Sequence, residues 1–451
     1  MIASQQAATN PVDNSEQAGT QTTVARGGWT ALGILSFIYM LNFMDRQLLS
    51  ILIEPIKQDI AITDTEIGLL TGTIFAIVYS IITIPVAMLA DRTSRVNIIA
   101  AGCFLWSLFA GLTGFATNIL HLAIARVGLA FGEAGGVAPS LSLLSDFFPP
   151  NRRVLAVSLF TSSGPLGALV GTMGGGLLAM QFGWRVTFQV AGIVGLVMVP
   201  ILLLAVREPL RGRFEARRPA PSKSFGYTLR LYRDLPTLRW LAMSAGLFAI
   251  VANGLFTWMP AVLMRSYGVP IGDVALYYGP LVGVALITGN WISGVLVVRL
   301  GRRSLSYYAW VPGVAILLCI PTLAFALALD SWQWTILCLF VPIALCNFGI
   351  APTLTLVQNL TPPEVRSTAS ALLLLVLGLL GIGLGPLIVG AASDWLQHTH
   401  GGDSLRLALL VSLIPVMLLC AFTFYMVARH VIADQHAVTD EDPDANETMA
   451  A

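Results

Sequence analysis

The 451-residue chain is 56% hydrophobic and only 11% charged, with a formal net charge of +1. Soluble domains carry about 25% charged residues, and so apolar a surface would aggregate in water, so the lipid bilayer is the solvent. The near-zero net charge gives no electrostatic case for a nucleic-acid partner. The five cysteines stand in apolar stretches without a CxxC or a nearby His, which argues against a disulfide framework and a metal site.

The first 28 residues are polar, with Arg26 as their only base, and lack the basic start and apolar core of a secretory signal. They read as a disordered tail, 1–28. A bilayer core takes about 20 apolar residues per helix. By that ruler the first half, 29–206, holds six spans at about 29–53, 66–90, 96–116, 119–147, 153–180 and 184–206. A polar linker, 207–236, follows. The second half, 237–430, holds spans at about 237–263, 273–298, 304–328, 332–358, 365–393 and 404–429, and an acidic tail, 431–451, closes the chain. The fold class is thus an all-α membrane protein of twelve helices in two six-helix bundles.

Nineteen of the 25 Lys and Arg residues fall on the side of both termini and four on the other, with Arg46 and Arg126 inside helices. That bias predicts that both termini are cytoplasmic; a bacterial inner membrane is the expected location. The halves also repeat. Ala138-Pro139-Ser140-Leu141-Ser142-Leu143 and the later Pro149-Pro150 match Ala351-Pro352-Thr353-Leu354-Thr355-Leu356 and Pro362-Pro363 at one spacing. MLADRTSR at 88–95 matches VLVVRLGR at 295–302, with Val298 in place of Asp91. Parallel six-helix repeats are a transporter signature.

These motifs resemble the major facilitator superfamily. Within it, NFMDRQ on the first span, ARVGLAFGEAGGVAPSLSLLSDFFPPNRR across the fourth and VREPLRG after the sixth resemble the Spinster family, whose animal members export sphingosine phosphate or lysophospholipids. The loop after the second span resembles the superfamily's first signature, with Ala87 and Ser94 in place of two glycines. The resemblance implies that Asp91 caps a helix of the other half and pairs with Arg92 and Asp146, with Arg95 retained beside them. This would latch the cytoplasmic side when the outside is open; the alternative is that these charges only set orientation.

Charges inside a bilayer are costly and functional by default. Arg126 and Glu133 are seven residues apart, on one helical face, while the matching positions of the second half are Leu339 and Cys346. An apolar cavity favours a neutral acid and a nearby arginine favours the carboxylate, so such a site can load and release a proton. Asp45 and Glu133 are therefore the expected proton carriers, and Arg126 the anchor of an anionic substrate. Arg46, turned about 100° from Asp45, faces another helix or the cavity rim. Asn42, Tyr39 and Phe43 are expected on the same wall, and Asn253, Trp258, Asn290 and Trp291 of the second half are further candidates for lining the cavity.

SSGPLGALVGTMGGG on the fifth span offers Gly164 and Pro165 as a hinge or a thin packing surface. No Walker motif, nucleophile elbow or metal-ligand cluster appears, so an enzyme and a cofactor are not expected. The expected activity is proton-coupled secondary transport by a monomer, with an anionic or zwitterionic amphiphile as substrate. The alternatives are a symporter of small organic anions such as sugar acids, and a non-transporting lipid sensor.

Overall fold

The computed structural model describes residues 24–214, 225–362 and 365–440. Among them, nine helices are long and apolar enough to cross a membrane. Two of these exceed a single crossing. Pro150–Ala205 has 56 residues, about 84 Å at 1.5 Å each, against a hydrocarbon core of about 30 Å. It reverses at Gly183, whose φ of 80° only glycine adopts readily. Thr368–Gln435 likewise reverses at Gly401–Asp403. With the first helix, Gly28–Asp59, which carries NFMDRQ, the chain makes twelve passes.

The end where the first helix begins is called the near end here, and the opposite end the far end. The fourth span, Ile119–Phe147, is interrupted at 134–136, and the tenth, Trp332–Leu360, at 346–349. Both breaks directly precede the repeated Ala-Pro-Ser/Thr motif, so the internal repeat extends to the helix defects. Three spans carry a π-helical stretch: Leu69–Thr73 in the second, Val274–Tyr278 in the eighth and Leu377–Ile382 in the eleventh. The last overlaps the glycine-rich run GLLGIGLGP, residues 378–386. By contrast, the backbone stays helical through Gly164 and Pro165.

Small residues let spans approach at backbone distance, the usual basis of helix association in lipid. A Cβ on Gly132 would lie 2.9 Å from Trp106 Cα, and one on Gly102 would lie 2.7 Å from Gly132 O. Gly132→Val is therefore expected to destabilise the first half by about 1–3 kcal/mol, the range for overpacking. An unchanged thermal unfolding midpoint in detergent would contradict this packing.

The segments expected to be loose are partly docked. Ala25 is buried and donates its N–H to Phe147 O at 2.8 Å, so the chain is held from residue 24 onward. The last helix runs to Asp440, beyond the expected tail boundary at 431. Asp434 accepts Thr237 N–H at 2.8 Å there, satisfying a free donor at the start of the seventh span. Within the linker, Phe225–Asp234 is a short helix docked through Tyr232, whose hydroxyl donates to Ala369 O. The remaining tail residues, 1–23 and 441–451, lie outside the described residues.

Candidate functional site

A cavity of about 290 Å³ lies between the halves. On the first span Phe43, Arg46, Gln47 and Ser50 line it, at the spacing of one helical face. Asp45, one residue before Arg46 and about 100° round the helix, turns into its own half instead and is 3% exposed. Arg46 is thus the charge of the pair that meets the cavity, and Asp45 is the concealed one.

Arg46 reaches Glu133, with Nη2 at 2.7 Å and Nε at 3.1 Å from Oε2. Its guanidinium also lies 5.4, 5.0 and 5.7 Å from the ring centres of Phe43, Phe75 and Tyr79, a cation–π setting. Glu133 ends the helix Ile119–Glu133 just before the break and is fully buried, with Oε1 unbonded. Arg126, two turns earlier, is 7% exposed and lines the cavity. Among the described residues it makes no hydrogen bond or ion pair, although Glu133 and Asp45 lie within electrostatic range. Asp45 is equally without a hydrogen bond, and its Oδ1 is buried.

The four charges expected in one network lie near one another. Glu133 shares a helical face with Arg126 but is held by Arg46 from the first span. Phe43 reaches the cavity as expected. Tyr39 and Asn42 do not; with Ser140 and Phe160 they line a separate small pocket within the first half, and Tyr39 stacks on Phe160. In the second half Asn253 lines the cavity. Trp258 is instead fully buried, donating Nε1–H to Pro386 O, while Asn290 is exposed and Trp291 is 79% exposed, on the outer surface of the bundle. The wall of the second half is otherwise largely apolar, through Phe248, Phe256, Leu286, Cys346 and Phe424.

The cavity ends at Ser50, beyond which the halves are joined. Pro260 has no N–H to donate to Phe256 O. Ser50 Oγ satisfies that carbonyl from across the interface at 3.0 Å, and Thr257 O at 2.6 Å. Gly68 and Gly72 of the second span lie against the eleventh, where an added Cβ would meet Pro386 O or Ile382 O at 2.7 Å. At the far end Arg265 of the seventh span binds Glu54 and Asp64 of the first half. The sequence reading missed this cluster, counting Arg265 only as a loop charge. Its signal was the bunching of Glu54, Lys57 and Asp64 beside one strongly apolar helix.

At the near end the charges stay within the first half. Arg95 pairs with Asp146 at 2.6 Å and with Glu208 at 2.7 Å. Glu208 also accepts Val96 N–H and the Ser94 hydroxyl at the start of the third span. Partial burial pushes its carboxyl up, but the Arg95 and Val96 hydrogen bonds outweigh this and hold it below the usual glutamate range. Arg211 closes the end of the second span by donating to the carbonyls of Ala90, Asp91 and Thr93, and Gly212 N–H donates to Asp146. VREPLRG is therefore a strap across the near ends of the second, third and fourth spans. Asp91 and Arg92 are exposed, and Asp146 is bonded to Arg95 rather than to either. The near-end helices Val137–Phe147 and Ile350–Leu360 each pack on their own half, and among the described residues Asp91 and Arg92 form no ion pair.

Comparison with known proteins agrees with this architecture. The family model for the Major Facilitator Superfamily matches residues 35–386. An MFS-type efflux pump of Mycolicibacterium smegmatis is 33% identical over 410 residues, covering 91% of this chain and 94% of that protein. The sphingosine-1-phosphate transporter SPNS2 of Danio rerio is 27% identical over 417 residues, covering 88% and 82%. A solved bacterial homolog of the human lysosomal transporter Spinster, inward-facing and unoccupied, superposes with a TM-score of 0.80 at 26% identity, covering 92% of this chain and 98% of that one. Twelve passes in two repeated halves around a charged central cavity, together with these relatives, place the chain in the major facilitator superfamily, as a Spinster-like membrane transporter and not an enzyme.

Proposed function

We propose that this transporter moves an anionic, single-chain amphiphile by alternating access, driven by protons. One observation carries the substrate reading. Arg126 faces the cavity with no hydrogen bond or ion pair, while Arg46 is already held by Glu133. A buried, unpaired guanidinium is costly unless an anion completes it, and its fork suits phosphate or carboxylate. The apolar wall opposite suits a hydrocarbon tail. The relative in Danio rerio carries a lipid phosphate by name, which fits a lysophospholipid or a sphingoid phosphate as substrate here.

Proton coupling rests on Asp45 and Glu133. Asp45 has no ion pair to break, so it can exchange a proton without disturbing the Arg46–Glu133 bond. Protonation of Glu133 would instead release Arg46 toward the cavity, linking proton and anion. With the near end cytoplasmic, as the basic residues favour, this form takes its substrate from the cytoplasmic side.

Binding separates this reading from a small-anion symporter. Lysophosphatidylglycerol is expected to raise the thermal unfolding midpoint of the purified protein, by linkage, while glucuronate at equal concentration is not. Stabilisation by glucuronate alone would overturn the amphiphile reading.

A further inference from the structure

At the far end, four charged side chains and one hydroxyl meet between the halves. Asp64, 1% exposed, accepts Arg265 Nη1 at 2.6 Å on Oδ2 and Nη2 at 2.9 Å on Oδ1. It also accepts the Ser393 hydroxyl at 2.7 Å and the ammonium of Lys57. Glu54 takes Arg265 Nη2 at 2.6 Å. Beside them Asp394 of the eleventh span caps the second span from across the interface. It accepts Asp64 N–H at 3.0 Å, Thr65 N–H at 2.7 Å and the Thr65 hydroxyl at 2.5 Å. That helix already has its own capping box, with Thr63 and Glu66. Asp394 adds to that box by accepting the Asp64 and Thr65 N–H groups that the box leaves free.

The partition of these charges between the halves is telling. Lys57 and Asp64 belong to the first half, Arg265 and Asp394 to the second. In the closed form Arg265 and Asp394 bond across to Asp64, which also holds Lys57 within its own half. If the halves part, Asp64 retains Lys57, and Asp394 gives up its cap and becomes available to Arg265. Both sit on Asp64 in the closed form, one on its carboxylate and one on its backbone N–H, so little travel is needed.

We propose that the far end is an exchange lock: on opening, the crossed bonds Arg265–Asp64, Arg265–Glu54 and Asp394–helix are given up, Asp64 keeps the Lys57 it already holds, and Arg265 takes Asp394 within its own half. Opening then leaves neither Asp64 nor Arg265 as a lone charge, a penalty that would otherwise hold the carrier shut. The inference rests on the alternating-access reading above.

The exchange gives opposite signs for two bases in one cluster. Removing Arg265 weakens the closed form most, whereas removing Lys57 leaves Asp64 unpaired chiefly in the open form. Spin labels at Thr117 and Asp330, exposed far-end positions of the two halves, report the opening by double electron–electron resonance in nanodiscs. Native cysteines are replaced in that background. Arg265→Gln, and Glu54→Gln as a second route, are expected to raise the ratio of long to short distances by about tenfold, as for a lost charge-assisted bond. Lys57→Gln is expected to lower it. Asp394→Asn should raise the ratio more in the Arg265→Gln background than in wild type, where it also removes the open-state partner.

A shift of Lys57→Gln in the same direction as Arg265→Gln, or no shift in either, would overturn the exchange while leaving two distances in the wild type. A single distance in wild type and variants alike, at neutral and at acidic pH, would overturn the alternating-access reading itself.

Discussion

Arg126→Gln is expected to cut uptake at subsaturating substrate by at least about 30-fold, because truncating one partner of a buried charge pair costs about 2–5 kcal/mol. The residue presents an unbonded guanidinium to a cavity in which the other arginine is already engaged. The loss should appear as weaker binding, since Arg126 holds no structural bond whose removal would unfold the site. Arg126→Lys keeps the charge and loses the fork, so its uptake should fall between the two. Radiolabelled lysolipid uptake in proteoliposomes, paired with a binding titration, checks both variants. Wild-type affinity in Arg126→Gln would mean that the anion sits elsewhere.

Arg46 should behave in the opposite way. Arg46→Gln removes the partner of a fully buried carboxylate, and breaking such a pair from one side costs about 3–5 kcal/mol. The expected result is a marked fall in the thermal unfolding midpoint. Arg46→Gln/Glu133→Gln replaces both charges by amides that can bond each other, and should recover most of the loss. Glu133→Gln alone should be milder, because the released Arg46 keeps its aromatic surroundings and the cavity. It should even bind the anionic substrate more tightly than wild type, while losing proton drive. If the single and double Arg46 variants are equally destabilised, the ion pair is not what holds this site.

The contrast between these two arginines marks what could be read from the sequence. Hydropathy, the 213-residue repeat and the basic-residue bias were enough for twelve spans and their order, since each depends on composition over many residues. The four charges within the helices were also legible, because any charge in such helices stands out. Their pairing was not. Whether Glu133 meets Arg126 on its own helix or Arg46 on a neighbour depends on how the first span is rotated, and a 100° turn separates Asp45 from Arg46. Tyr39 and Asn42 were misplaced for the same reason.

The breaks at 134–136 and 346–349 were hidden by composition, because glycines inside an apolar run look alike whether the helix passes through or stops. The far-end cluster was missed for a different reason. Its members are scattered over four spans and look like ordinary interfacial charges until the halves are docked. VREPLRG, which the sequence offers only as a family likeness, ties three span ends together through Glu208, Arg211 and Gly212.

Proton-driven passage of an anionic amphiphile through the cavity between Arg126 and the apolar wall is tested most directly by accumulation of a lysophospholipid or sphingoid phosphate in proteoliposomes. The assay imposes a pH gradient on wild type and on Asp45→Asn. Gradient-dependent accumulation is expected in wild type, collapse to gradient-independent exchange in Asp45→Asn, and no accumulation of glucuronate in either. Accumulation that ignores the gradient, or an Asp45→Asn protein that still follows it, would rule out proton drive through Asp45.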